Sequence, residues 1–168
     1  MEVRLANLSD LSKLKSMYRQ VVERMNRNHI EIWDDIYPIE FIHNDIEKKQ
    51  FYVLVHHNDI VASFALSDSH EGEACVKWKE TDKKAIYIDR FAVNIDYLRQ
   101  GMGVLALKHA MMIARQQSAQ YLRLFVVESN RPAIHLYLKS GFQRVDGIYD
   151  EVIDEQLILH EYGYEMHI

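Results

Sequence analysis

Three stretches of this chain carry residue types that can do chemistry. Gly101-Met102-Gly103 follows a seven-residue polar link, 94–100, and opens a long apolar run. Glycines at a helix start let the backbone come close to a ligand. The first turn also offers unpaired N–H groups, which together with the helix dipole make a seat for phosphate. Asp89 stands inside the apolar run AIYIDRFAV, residues Ala85–Val93, where a carboxylate is costly unless paired or functional. Strand alternation predicts Tyr87, Asp89, Phe91 and Val93 on one face. Asp89 can serve there as a proton acceptor or as a salt-bridge partner of Arg123. The third stretch, 26–37, has no helical period and gathers Glu31, Trp33, Asp34, Asp35 and Tyr37. Carboxylates beside aromatic faces suit an ammonium ion, although the same aromatics can fill a core.

The elements that must position these groups are legible from periodicity. A short strand over residues 1–6 precedes a helix capped by Asn7 or Ser9, with Leu11, Leu14, Tyr18, Val21, Val22 and Met25 at helical spacing. Pro38 begins a second helix carrying Ile39, Ile42 and Ile46. Residues 51–55 and 60–66 read as strands joined at His57-Asn58-Asp59, and 67–84 as a polar excursion. The helix after Gly103 is apolar nearly all round, as buried helices are. Residues Tyr121–Val127 form a near-continuous apolar strand. Asn130-Arg131-Pro132 starts a short helix stopped by Gly141. Strands over 142–148 and 156–162 close the chain around an acidic loop, 149–155. The order βααβββαβαββ gives a mixed α/β fold in one domain, 1–168.

Composition narrows the function classes. A chain of 168 residues, nearly half of them apolar, can bury a sizeable core. The formal charge of −5 and the lack of a basic stripe disfavour nucleic acid. Cys75 is the single cysteine, so no intramolecular disulfide forms. No apolar run is long enough for a bilayer, and the opening MEVRLANLSD lacks a secretory pattern. A cytoplasmic setting is the expectation. No H-x₃-H or H-E-x-x-H spacing occurs, and no metal is expected.

Gly101-x-Gly103-x-x-Ala106 also fits the dinucleotide pattern G-x-G-x-x-G/A, with Glu128 roughly where a ribose-binding acid would lie. That pattern needs its first glycine at the strand end and a following series of βαβ units, and this chain offers neither. A P-loop is excluded, because G-x-x-x-x-G-K-[ST] is absent.

Taken together, Ile88-Asp89-Arg90-Phe91-Ala92-Val93, the turn Leu98-Arg99-Gln100-Gly101-Met102-Gly103, and Asn130…Ala133…Tyr137…Gly141-Phe142 resemble the GNAT acetyltransferase superfamily. The resemblance covers essentially the whole chain. It implies a mostly antiparallel central sheet flanked by helices, and acetyl-CoA as co-substrate without a metal. Phe91, Ala92 and Val93 would pair with pantetheine, with the Val93 N–H meeting the thioester oxygen. Leu98, Arg99, Gln100, Gly101, Met102, Gly103 and Val104 would cradle the pyrophosphate. The family turn usually begins with Arg or Gln, and Leu98 replaces that side chain while keeping a backbone N–H. The resemblance also makes Asp89 the base, Tyr137 the acid toward the thiolate and Asn130 a cofactor contact. Lys139 or Arg131 could meet the 3′-phosphate, although solvated surface charge is the simpler role.

Trp33, Asp34 and Tyr37 would then face the acceptor, an amine of a small molecule or peptide. Asp150, Glu151, Asp154 and Glu155 form a second acidic group, expected to be solvated. A homodimer is left open. The alternative in another class is a non-catalytic acyl-CoA-binding module, against which Tyr137 and Asp89 both speak.

Overall fold

Asn7 ends one element and starts the next with a single side chain. After strand β1, Glu2–Leu5, its amide oxygen accepts the Ser9 N–H at 2.9 Å, and the Asp10 carboxylate accepts the Asn7 N–H at 2.9 Å. This reciprocal cap begins a 3-10 turn, Leu8–Asp10, that runs into α1, Leu11–Arg27. Arg4 grips Asp10 from the strand with bonds of 2.7 and 2.8 Å. α1 buries Leu14, Met17, Tyr18 and Val22, the stripe that its apolar spacing predicts with Met17 added.

The computed structural model describes residues 1–153, 155 and 157–168. These residues form two units, Met1–Leu66 with Arg90–Ala110, and Ser67–Asp89 with Met111–Ile168. In the first, α2, Ile39–Glu47, follows Pro38 and buries Ile39, Ile42, Asp45 and Ile46. Strands β2, Phe51–His56, and β3, Asp59–Ser67, make an antiparallel hairpin that turns at His57, whose φ is 52°. The strand order is β1-β2-β3-β5, to which this unit contributes the last four residues of β5, Ala85–Val93. Leu14, Tyr18, Ile42, Phe51 and Val53 fill its core.

The second unit begins with a 3-10 segment, Glu71–Cys75, and strand β4, Val76–Lys77. The first half of β5 runs parallel to β6, Tyr121–Val127, from Ala85↔Tyr121 to Ile88↔Leu124. The ladders β1/β2, β2/β3 and those made by β10 are antiparallel. Strand β10, Ile158–His167, pairs with β6 on one edge, and with β7, Gln143–Arg144, and β9, Tyr149–Val152, on the other. β4 pairs with β8, Asp146–Gly147. Trp78, Tyr87 and Val76 gather here with Phe125 and Val145.

Two helices complete the set of four α-helices among the described residues: α3, Met102–Gln116, and α4, Arg131–Lys139. α3 buries Ala106, Leu107, Ala110 and Ala114. None of these helices is long and apolar enough to cross a membrane.

The helices and the strands β1, β2, β3, β5 and β6 lie where the sequence predicts them. The C-terminal region differs. Residues 142–148 split into β7 and β8, and the last strand runs on to His167. The expected acidic loop 149–155 is a strand over Tyr149–Val152, because Tyr149, Asp150, Glu151 and Val152 pair with Glu161, His160, Leu159 and Ile158. Asp154 and Gln156 lie outside the described residues.

Candidate active site

Strand β5 does not keep its alternation to the end. Arg90 adopts a left-handed φ of 48°, a conformation that costs a non-glycine residue free energy, and the β6 ladder stops just before it at Ile88↔Leu124. Buried groups of the first unit hold this kink. The Tyr18 hydroxyl donates to the Arg90 carbonyl and lies 3.0 Å from Ser63 Oγ, while Arg90 Nε donates to the buried Asp45 carboxylate. Tyr87 and Asp89 therefore follow simple alternation, and the expectation that Phe91 and Val93 continue it is corrected at Arg90. Past the kink, Phe91 stacks on Phe64 with ring centroids 6.3 Å apart, and Ala92 is buried in the core.

The link to α3 is fastened by short-range bonds. Asn94 donates its N–H to the Val61 carbonyl and its amide to the Ile60 carbonyl, both at 2.9 Å, and its Oδ1 accepts from Asp96 N–H. The Tyr97 hydroxyl donates to Asp59 at 2.9 Å, and Gln100 Nε2 donates to the Asp96 carbonyl. Arg99 and Gly101 then take φ values of 61° and 79°. A Cβ built on Gly101 would meet nothing within 4 Å, so space opens over the turn. The first α-helical bond here is from Leu105 N–H to the Gly101 carbonyl. The N–H groups of Met102, Gly103 and Val104 thus belong to the first turn, which lacks intrahelical acceptors. These donors and the open space fit an anion. The Leu98 N–H donates to the Ile95 carbonyl at 3.4 Å.

In the second unit the register sorts side chains onto one sheet face. Tyr87, Arg123 and Glu165 lie in one row, and their bonds confirm it: Arg123 Nε reaches Glu165 at 3.3 Å and Nη1 reaches the Tyr87 hydroxyl at 3.5 Å. Arg123 also donates to the Glu80 carbonyl and covers the Trp78 ring. Two residues along each strand, the same face carries Asp89 and Phe125 and then Val127 and Glu161, with Tyr149 and Glu151 added by β9. His70 stacks on Phe125 at 4.3 Å, and Tyr149 meets both rings edge-on. Gly72 leaves the room that the Tyr149 ring occupies, since a Cβ there would come within 2.6 Å of it.

Tyr137 on α4 is buried and packs edge-on against Phe142. Burial, and then the charge of Asp89, raise its pKa, so the phenol holds its proton firmly. Asn130 caps α4 through Oδ1, which accepts from Ala133 N–H at 3.3 Å. Arg131 and Lys139 are exposed. Glu161 is largely desolvated, and burial followed by the charges of Glu151 and Asp89 pushes its pKa up to about 8. Glu151 is raised as well, by burial and then by Asp89 and Glu71.

The first unit also holds the 26–37 segment. Trp33 packs on the core beside Tyr18, at 5.6 Å between rings. Asp34 Oδ1 accepts the Ile36 and Tyr37 N–H groups at 2.7 Å, so this oxygen is used by a local turn. Tyr37 meets Phe41 edge-on at 5.3 Å, and Glu31 and Asp35 are exposed. Of the second acidic group, Asp150 pairs with His160 at 2.7 Å, Glu155 is exposed, and Asp154 is outside the described residues.

Sequence reasoning missed Tyr18, Asp45 and Arg90 as the clamp on β5, and Glu161 as a strained carboxylate. Asp45 lies on the apolar stripe of Ile39, Ile42 and Ile46, so the rule of a carboxylate where apolar periodicity expects none would have found it. Glu161 sits in a strand with His160, Glu165 and His167, where that rule gives no signal. Among the described residues, no group of three or more His, Cys, Asp or Glu side chains is placed to hold a metal ion.

Comparison with known proteins gives a consistent result. The model of the acetyltransferase (GNAT) family matches residues 18–142. A Bacillus subtilis (strain 168) protein, YwnH, provisionally named a phosphinothricin acetyltransferase, is 26% identical over 143 residues, covering 84% of this chain and 83% of that protein. The crystal structure of a GNAT-family acetyltransferase from Streptococcus agalactiae 2603 superposes with a TM-score of 0.78 at 17% identity, over 99% of this chain and 95% of that one. The structure of a Salmonella typhimurium protein, provisionally named an acetyltransferase and containing acetyl-CoA, gives a TM-score of 0.69 at 16% identity, over 99% of this chain and 93% of that one.

Proposed function

This chain belongs to the acetyltransferase (GNAT) family, and from that premise we propose that it moves the acetyl group of acetyl-CoA to a primary amine of a small molecule or peptide. The observation that carries the reading is the turn before α3, where Gly101 and the first-turn N–H groups of Met102, Gly103 and Val104 border open space. Acetyl-CoA supplies the activated thioester. In this reading Arg99, Gln100 and Gly101 shape the approach to the pyrophosphate, and Leu98 acts through the path of its backbone. The kinked end of β5 presents Phe91, Ala92 and Val93 to the pantetheine arm, with the Val93 N–H toward the thioester oxygen. The amide nitrogen of Asn130 is left for the cofactor while its oxygen caps α4.

Acetyl transfer needs a neutral amine, a polarised carbonyl and a proton for the departing thiolate. Tyr137, a phenol that is protonated at neutral pH, supplies that last proton. Asp89 places a carboxylate beside it. On the acceptor side, Trp33, Tyr37 and Asp34 Oδ2 meet the cationic amine, Asp34 Oδ1 being taken by its turn. One domain spanning 1–168 and a cytoplasmic setting complete the proposal, and the run of the family match across both units supports the first of these.

The test is thiol release from acetyl-CoA across a panel of amines, with the acetylated amine identified by mass spectrometry. Amine-dependent release is the expected result. Tight CoA binding with no turnover of any amine would favour the non-catalytic module.

A further inference from the structure

Glu161 and Glu165 lie on the same face of β10, four residues apart, and meet opposite fates. Glu165 is 5% exposed and matched by Arg123 and by the Lys79 N–H at 2.8 Å. Glu161 has no hydrogen-bond or ion-pair partner among the described residues, and its oxygens keep access to solvent. The charged groups that face it are all acidic: Asp89 on β5, Glu151 on β9, and Glu71 acting on Glu151 in turn. Tyr149, directly opposite in register, adds a phenol with its pKa raised to about 12. A carboxylate held half-desolvated among like charges is destabilised in its ionised form. Among the described residues, no cationic side chain pairs with Glu161 to relieve that cost.

An incoming ammonium ion would relieve it. β5 and β10 flank β6, so the strands bearing Asp89 and Glu161 are about 10 Å apart, with Asp89 set back from Glu161 by two residues along the shared face. We propose that Glu161 is the catalytic residue that accepts the proton from the acceptor ammonium, while Asp89 holds the facing charge beside Tyr137. This rests on the acetyltransferase reading and moves the base role from Asp89 to Glu161. The step balances. The ammonium N–H bond breaks and its proton goes to the Glu161 carboxylate. The freed amine lone pair then forms the C–N bond at the thioester carbonyl. On collapse the C–S bond breaks, the thiolate takes the Tyr137 proton, and the proton lost by the new amide nitrogen restores Tyr137. Glu161 returns its proton to solvent.

A proton acceptor whose pKa is pushed up to about 8 lies near the operating pH, where general-base catalysis is most effective. Two measurements test the proposal. The first is the pH profile of kcat/KM with one amine for wild type, Glu161→Gln, Glu151→Gln and Asp89→Asn. Glu161→Gln should lower kcat/KM by roughly 10²-fold and lose the enzyme's own acidic limb, whereas Glu151→Gln and Asp89→Asn should each retain that limb and shift it to lower pH. The second is a carboxyl-¹³C titration of the ligand-free protein. It should show one Glu titrating far above the ordinary range, absent in Glu161→Gln and moved down in Glu151→Gln. A Glu161→Gln enzyme with the wild-type rate and limb, or a Glu161 resonance titrating in the ordinary range, would overturn the assignment and leave the acetyltransferase reading standing. Failure of the wild type to acetylate any amine would overturn both.

Discussion

Arg123 and Glu165 face each other across β6 and β10, opposite in register and joined by a 3.3 Å contact between Nε and Oε2. Both are nearly inaccessible, at 2% and 5% exposure. Removing one member of a buried pair strands the other, at a cost of about 3–5 kcal/mol. Glu165→Ala is therefore expected to lower unfolding stability by that amount in denaturant titration. A loss below about 1 kcal/mol would show that the guanidinium finds other partners.

Glu161, on the same strand face, should behave in the opposite sense. Its folded pKa of about 8 exceeds the ordinary 4.5, so between those values the native state binds more protons than the unfolded one. Stability contributed by this group is full below about pH 4.5 and falls as pH rises through about 8. Glu161→Gln removes the dependence. The variant should gain in Tm relative to wild type as the pH is raised across that window. Parallel Tm curves would contradict it.

The kink at Arg90 gives a third expectation. Tyr18→Phe keeps the ring but leaves the Arg90 carbonyl and Ser63 hydroxyl without that partner, at a cost of about 1–3 kcal/mol. Since the kink directs residues 91–93, affinity for CoA should fall as well, measured by calorimetry on protein shown to be folded. Full affinity in the destabilised variant would separate the clamp from cofactor binding.

Tyr137→Phe deletes the hydroxyl and keeps the edge-on packing against Phe142. Loss of the general acid should reduce kcat by roughly 10²-fold with CoA affinity little changed. Wild-type turnover under conditions where chemistry limits would remove Tyr137 from the mechanism.

How far the sequence could be read depended on the range of each signal. The helices and the strands β5 and β6 announce themselves through local periodicity, and Asp89 through one carboxylate in an apolar run. Tyr149–Val152 could not be read that way. Its YDEV composition suits a solvated loop, and only pairing with β10 makes it a strand. The kink at Arg90 depends on Tyr18 and Asp45, which are 72 and 45 residues away in sequence. Glu161 stood in plain view, but its unusual state comes from burial and then from the charges of Glu151 and Asp89 on other strands.

The most direct test of the account is calorimetric titration of CoA into wild type, Gly101→Ala and Gly101→Glu. Both variants carry a side chain at φ 79°, so both bear the same backbone strain, about 1–2 kcal/mol. Only the glutamate adds bulk and negative charge where the phosphate approaches. The account predicts that wild type binds, that alanine weakens binding modestly, and that glutamate abolishes it in a folded protein. A folded Gly101→Glu variant with wild-type affinity would contradict the placement of CoA at this turn.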